Sequence, residues 1–139
     1  MIRLSVLLFA VAAPAPAAAQ VAPFSFEAGK LLPLASGQWS YAASATGSEA
    51  RYGATFSIRC DRATRTVIIS RPGATPTALT IATDSVTRTL PVGGRLLAND
   101  ALLDAIAFSR GRFLVSGGGV TLGIPTWPEA ARSIEDCRS

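Results

Sequence analysis

The 139-residue chain contains no histidine. That absence excludes Ser-His-Asp and Cys-His nucleophilic catalysis and removes imidazole from any metal site. Lys30 is the only lysine, and it lies in a stretch with little regular pattern, a poor platform for a Ser-Lys pair. The two cysteines, Cys60 and Cys137, are too few to complete a zinc site without histidine. There is no phosphate loop, zinc-ligand spacing or dinucleotide fingerprint, and Gly117-Gly118-Gly119 reads as a hairpin turn rather than a phosphate cradle. No cofactor or metal is expected. Charge is also sparse, at 16% of residues, and the net +4 comes almost wholly from arginine. A small basic excess biases a surface weakly towards anionic partners and falls far short of a nucleic-acid-binding domain. No internal repeat is evident.

What is present begins with a leader. Arg3 supplies one positive charge, residues 4–13 form a short apolar run, and Pro14, Pro16 and Ala17-Ala18-Ala19 follow. This is the pattern of a secretory signal peptide, with cleavage expected after Ala19. The apolar run is too short to span a bilayer as a helix, and no later stretch is long and apolar enough. The sequence therefore divides into a signal peptide (1–19), a lead-in segment (20–36) and one domain (37–139), with a periplasmic or secreted location. In an oxidising compartment two cysteines read as a disulfide, Cys60 to Cys137. Closing so long a loop stabilises by roughly 4–5 kcal/mol in the chain-entropy account.

Alternating and β-branched runs predict about seven or eight short strands. Phe24 and Phe26 alternate as a short strand would, and Trp39 and Tyr41 share one face of a strand over 37–42. Thr46-Gly47-Ser48 reads as a turn, and 50–60 as one longer strand with Phe56, Ile58 and Cys60 on its inner face. Residues 65–70 return as the second arm of a hairpin. Strands follow at 78–83 and 86–90, then at 108–115 and 120–124. A short helix is expected near 100–107, with Asn99 and Asp100 at its N-cap. A second is expected near 127–137, where Thr126 and Glu129 fit a capping box around Pro128. Trp127, Ala130, Ala131, Ile134 and Cys137 fall on one helical stripe, which predicts a buried face carrying the cysteine. The fold class is mainly β with helices (α+β): an antiparallel sandwich or open barrel with its last helix pinned across a sheet.

Arg110 and Arg112 are the candidate binding residues. On a strand they would project from one face, and two guanidinium groups side by side can grip a carboxylate, phosphate or sugar acid. Ion pairing to local carboxylates such as Glu135 or Asp136 is the competing explanation. Those two acids sit in the last helical turn, where the dipole disfavours them, so arginine partners are expected. Asp100 with Asp104, and Glu135 with Asp136, are the only close carboxylate pairs. The first is better explained by helix N-terminal charge. Trp39 and Trp127 suit the core better than sugar stacking.

Together, Trp39, the Arg59-Cys60 pair ending a strand, Thr66-Val67-Ile68-Ile69, the helix and hairpin over 101–124 and the closing helix at Cys137 form a pattern. It resembles the invasion-associated locus B proteins and the type VI secretion-associated periplasmic proteins. The runs Phe-Ser-Arg-Gly-Arg-Phe (108–113) and Ile-Pro-Thr-Trp-Pro-Glu (124–129) are similar to those of uncharacterised secreted proteins of alphaproteobacteria. The resemblance implies an envelope protein acting by binding and transfers no catalytic residue. The expected function is a non-enzymatic binding or protein-interaction module with a protein or an anionic envelope component as partner, and no nucleic acid. The alternatives are a periplasmic inhibitor of a cell-wall lytic enzyme, similar to lysozyme inhibitors but lacking their acidic surface, and a hydrolase using carboxylates alone.

Overall fold

A computed structural model describes residues 11–15 and 24–139. Residues 11–15 are exposed and without regular structure; most of the leader and the expected cleavage point after Ala19 lie outside the described residues.

Among the described residues nine strands form two open antiparallel sheets, with three short helices. The first sheet holds β1 (Trp39–Ala43), β2 (Gly47–Tyr52), β3 (Phe56–Asp61), β4 (Thr66–Ser70) and β7 (Arg95–Leu97), in that order. The second holds β6 (Thr87–Leu90), β5 (Leu79–Ala82), β8 (Arg112–Ser116) and β9 (Leu122–Pro125). The helices are α1 (Phe26–Gly29), α2 (Ala101–Phe108) and α3 (Pro128–Asp136). The sheets face each other as a sandwich and do not close into a barrel.

The alternation of apolar residues sets the inner faces. Cross-strand partners Trp39, Tyr52 and Phe56 share the inner side of the five-stranded sheet, as do Ala50, Ile58 and Ile69. Phe56 meets Phe113 of β8 with ring centroids 5.4 Å apart, and the Trp39 indole N–H donates to Pro125 O at 2.8 Å. These contacts join the two sheets at one end. At the other end α3 packs on β2 and β3. There the Ser133 hydroxyl reaches the Ser48 hydroxyl (3.1 Å) and donates to Ile58 O (3.2 Å). Cys60 and Cys137, both buried, are bonded across a sequence separation of 77. The helix is thus bolted to the sheet at the centre of the packing.

Several local expectations shift. The 50–60 stretch is not one strand: the chain reverses at Gly53-Ala54-Thr55, and Tyr52 pairs with Phe56 across the turn. The preceding turn falls earlier than Thr46-Gly47-Ser48, because Ser44 N bonds to Gly47 O (2.8 Å) and Gly47 already opens β2. Phe26 belongs to one helical turn capped by Ser25, not to a strand. β7 has no counterpart among the expected strands, since three residues are too short to show an alternation. Phe108 ends α2 rather than starting a strand, and β8 begins at Arg112. At α3 the N-cap is Trp127, with no side-chain cap, and Pro128 is the first helical residue. The capping box therefore does not form, and the Thr126 hydroxyl is buried without a partner. Trp127 at the N-cap is 50% exposed and not in the core. Ala130, Ile134 and Cys137 do form the buried stripe.

Candidate functional site

The two sheets differ in what lies on their outer faces. On β8, Phe113 points inward, so Leu114 points outward, yet Leu114 is fully buried. The lead-in segment covers it. Gly29 of α1 sits so close that a Cβ there would lie 2.3 Å from a Leu114 methyl. The Arg112 guanidinium donates to Leu32 O, and Ala35 N bonds to Gly123 O at 2.9 Å.

No described element lies over the outer face of the five-stranded sheet. Register and alternation place one row across it: Ala42, Glu49, Arg59, Ile68 and Arg95. A second row beside it is Ser40, Arg51, Ser57 and Ser70, with the Ser57 and Ser70 hydroxyls bonded at 2.8 Å. Arg51 pairs with Glu49 at 3.1 Å. Arg95 donates to the Thr66 hydroxyl at 2.8 Å. Arg59 is exposed, and among the described residues neither Arg59 nor Arg95 has a carboxylate within ion-pair distance. Two strand spacings separate them, about 10 Å between backbones. An open hollow of about 520 Å³ adjoins the row, lined by Ser44, Thr46, Glu49, Arg59 and Asp61 among others. Arg51, Arg59 and Arg95 against Glu49 and Asp61 leave this face weakly basic; Asp61 accepts from Ala63 N at 3.1 Å, and the Ser57 hydroxyl is buried.

Arg110 and Arg112 do not share a strand face. Gly111 turns the chain at φ +74°, which leaves Arg110 in the loop before β8. Arg110 is 93% exposed and lies 3.8 Å from Asp84, while Arg112 is half-buried and holds the lead-in segment.

The close carboxylate pairs are engaged with arginines or a tyrosine. Asp100 caps α2 by accepting from Leu102 N (2.8 Å) and receives both nitrogens of Arg88 at 2.9 and 2.7 Å. The Arg88 hydrogen bonds hold its carboxyl below the usual range. Arg138 bridges Asp104 (2.8 Å) and Glu135 (3.1 Å). Asp136 accepts from the Tyr41 hydroxyl, and that bond, aided by the charges of Arg62 and Arg132, pushes its carboxyl down as well. Arg132 also stacks over the Tyr41 ring at 4.0 Å. The expected arginine partner is therefore in place for Glu135, as Arg138, whereas Asp136 is bonded to the Tyr41 hydroxyl with Arg62 and Arg132 only as nearby charges. A general acid needs a carboxyl held protonated near neutral pH; Asp100 and Asp136 are shifted the other way.

The Arg59–Arg95 row escaped the sequence reading because it requires the register across β3, β4 and β7, and β7 carries no period of its own. Comparison with protein-family models, curated proteins and solved structures returns no match for this chain.

Proposed function

We propose that the protein is a non-enzymatic binding module of the periplasm or the extracellular medium that takes an anionic ligand or an anionic patch of a partner protein. The binding surface is the outer face of the five-stranded sheet. The observation that carries this reading is the Arg59–Arg95 row: two guanidinium groups without carboxylate partners among the described residues, on a face no described element covers. Guanidinium is a planar fork that matches carboxylate, phosphate and sulfate bidentately and is weakly hydrated, so it binds such groups at low desolvation cost. Arg51, Glu49 and the exposed Ser40 hydroxyl supply orientation by hydrogen bonding. The leader pattern and the Cys60–Cys137 bond support an oxidising compartment.

The test is retention on, and solution binding to, a sulfated polysaccharide probe at graded salt. The double variant Arg59→Ala/Arg95→Ala is expected to weaken binding at least tenfold and to flatten its salt dependence. Arg110→Ala is expected to change it by less than about threefold, as a single exposed surface charge does. Equal binding by the wild type and the Arg59/Arg95 variant would overturn the assignment of the face.

A further inference from the structure

The outer edge of β1 is a second unfilled surface, and its geometry is set by register. Gly53 N bonds to Gln38 O (3.0 Å) and Ser44 N to Gly47 O (2.8 Å), one step beyond either end of the β1–β2 ladder. Bonded and non-bonded pairs alternate in an antiparallel ladder. Ser40 and Ala42 therefore turn their backbone groups towards β2, and Trp39, Tyr41 and Ala43 turn theirs away. Among the described residues no group bonds to those outward N–H and C=O groups.

The other edges are protected in ways that β1 is not. The β9 edge is met by Ala35 and ends in Pro125. β6 carries Arg88 and runs into Pro91, and β7 is three residues long and starts with Arg95. β1 reads Trp-Ser-Tyr-Ala-Ala, with no charge, proline or glycine, and Ser40, Ala42 and Ala43 are exposed. Tyr41 is braced from the helix side by Asp136 at its hydroxyl and Arg132 on its ring, which holds the strand in place.

We infer that β1 pairs antiparallel with β1 of a second copy of this chain, about a two-fold axis through Tyr41. That pairing sets Tyr41 opposite Tyr41 and Trp39 opposite the other copy's Ala43. It satisfies every outward N–H and C=O of both strands. Ser40 falls opposite the other copy's Ala42, so small neutral side chains meet on the outer face and no β1 charge opposes itself. The same operation on β6 or β7 would bring Arg88 or Arg95 towards its own copy. The result is a ten-stranded sheet whose two outer arginine faces are continuous. An edge-strand contact of this length buries little area, so the dimer is concentration-dependent.

The mass of the exported protein, followed by sedimentation equilibrium from micromolar to millimolar, tests this. The wild type is expected to rise from monomer to dimer. Ala43→Pro removes an outward N–H and no β2 bond, and is expected to stay monomeric with an unchanged far-ultraviolet spectrum. Ser40 and the other copy's Ala42 form a non-hydrogen-bonded pair, where side chains approach closely. Ser40→Cys mixed with Ala42→Cys is therefore expected to cross-link, and either alone to give only background. Should Ala43→Pro fail to fold, the cross-link decides. A wild type monomeric throughout, including one whose edge serves only an extended segment of another protein, overturns the inference. So does a dimer that survives Ala43→Pro, or a mixture that does not cross-link.

Discussion

The two outer faces of the sandwich are built from the same strand geometry and have opposite fates. On the four-stranded sheet an outward leucine, Leu114, is roofed by a glycine of α1, and Arg112 is consumed in holding that roof. On the five-stranded sheet the outward charged residues are Arg51, Arg59 and Arg95 with Glu49 and Asp61, serines lie between them, and no described element covers them. One face works as core, and the other is a polar surface with guanidinium groups to spare. The same residue type is structural on one side and available on the other. The difference lies in whether a neighbouring carbonyl or carboxylate has already claimed it.

The sharpest way to break the comparison is to cut one apolar side chain from each face. Leu114→Ala should cost about 2–5 kcal/mol, because a fully buried side chain leaves a cavity under α1. Ile68→Ala, at a half-buried position between Arg59 and Arg95, should cost well under half as much in the same chemical denaturation series. Equal losses would mean that both faces are covered in solution.

Acid titration gives a smaller effect and bears on the carboxylates that the arginines have claimed. Asp100 and Asp136 have folded-state pKa values depressed below the ordinary 3.8. A depressed group contributes stability that is present above its unfolded value and is lost as pH falls through its folded value. Melting temperature should therefore hold steady from neutral pH down to about pH 5 and fall below about pH 4. Asp100→Asn should lower the neutral-pH plateau and make the acid decline shallower. A parallel decline in both proteins would remove Asp100 from this account.

The smallest expected effect is the most discriminating one. Arg59→Ala and Arg95→Ala should each alter unfolding free energy by no more than about 0.5 kcal/mol, the range for surface positions without a special role. A cost several times larger would show that these arginines hold the sheet together and are not free for a ligand.

Much of the fold was legible in local pattern. Phe56, Ile58 and Cys60 alternate along β3, and Ala130, Ile134 and Cys137 recur at helical spacing, so local pattern alone points both cysteines into one core. Asp100 at the N-cap of α2 was equally readable, since capping depends on residues adjacent in the chain. The errors cluster where local signals compete. Phe56 continued an alternating run that Gly53 in fact interrupts, and Pro128 with Thr126 imitated a capping box one residue out of register. The proposed binding face was the least legible. Arg110 and Arg112 are neighbours in sequence but are separated by the turn at Gly111. Arg59 and Arg95 are distant in sequence and become members of one row through two intervening ladders.

By itself the sequence determined what depends on composition and short-range periodicity: a β-rich chain, a stapling disulfide, two helices with one apolar face, and the loss of histidine chemistry. Only the tertiary structure decided which arginines are claimed, which face is roofed and which strand edge is left open. The reason is physical. Side-chain direction follows from the pleat within a strand, but what a side chain meets depends on cross-strand register and layer packing, which join residues that no local pattern relates.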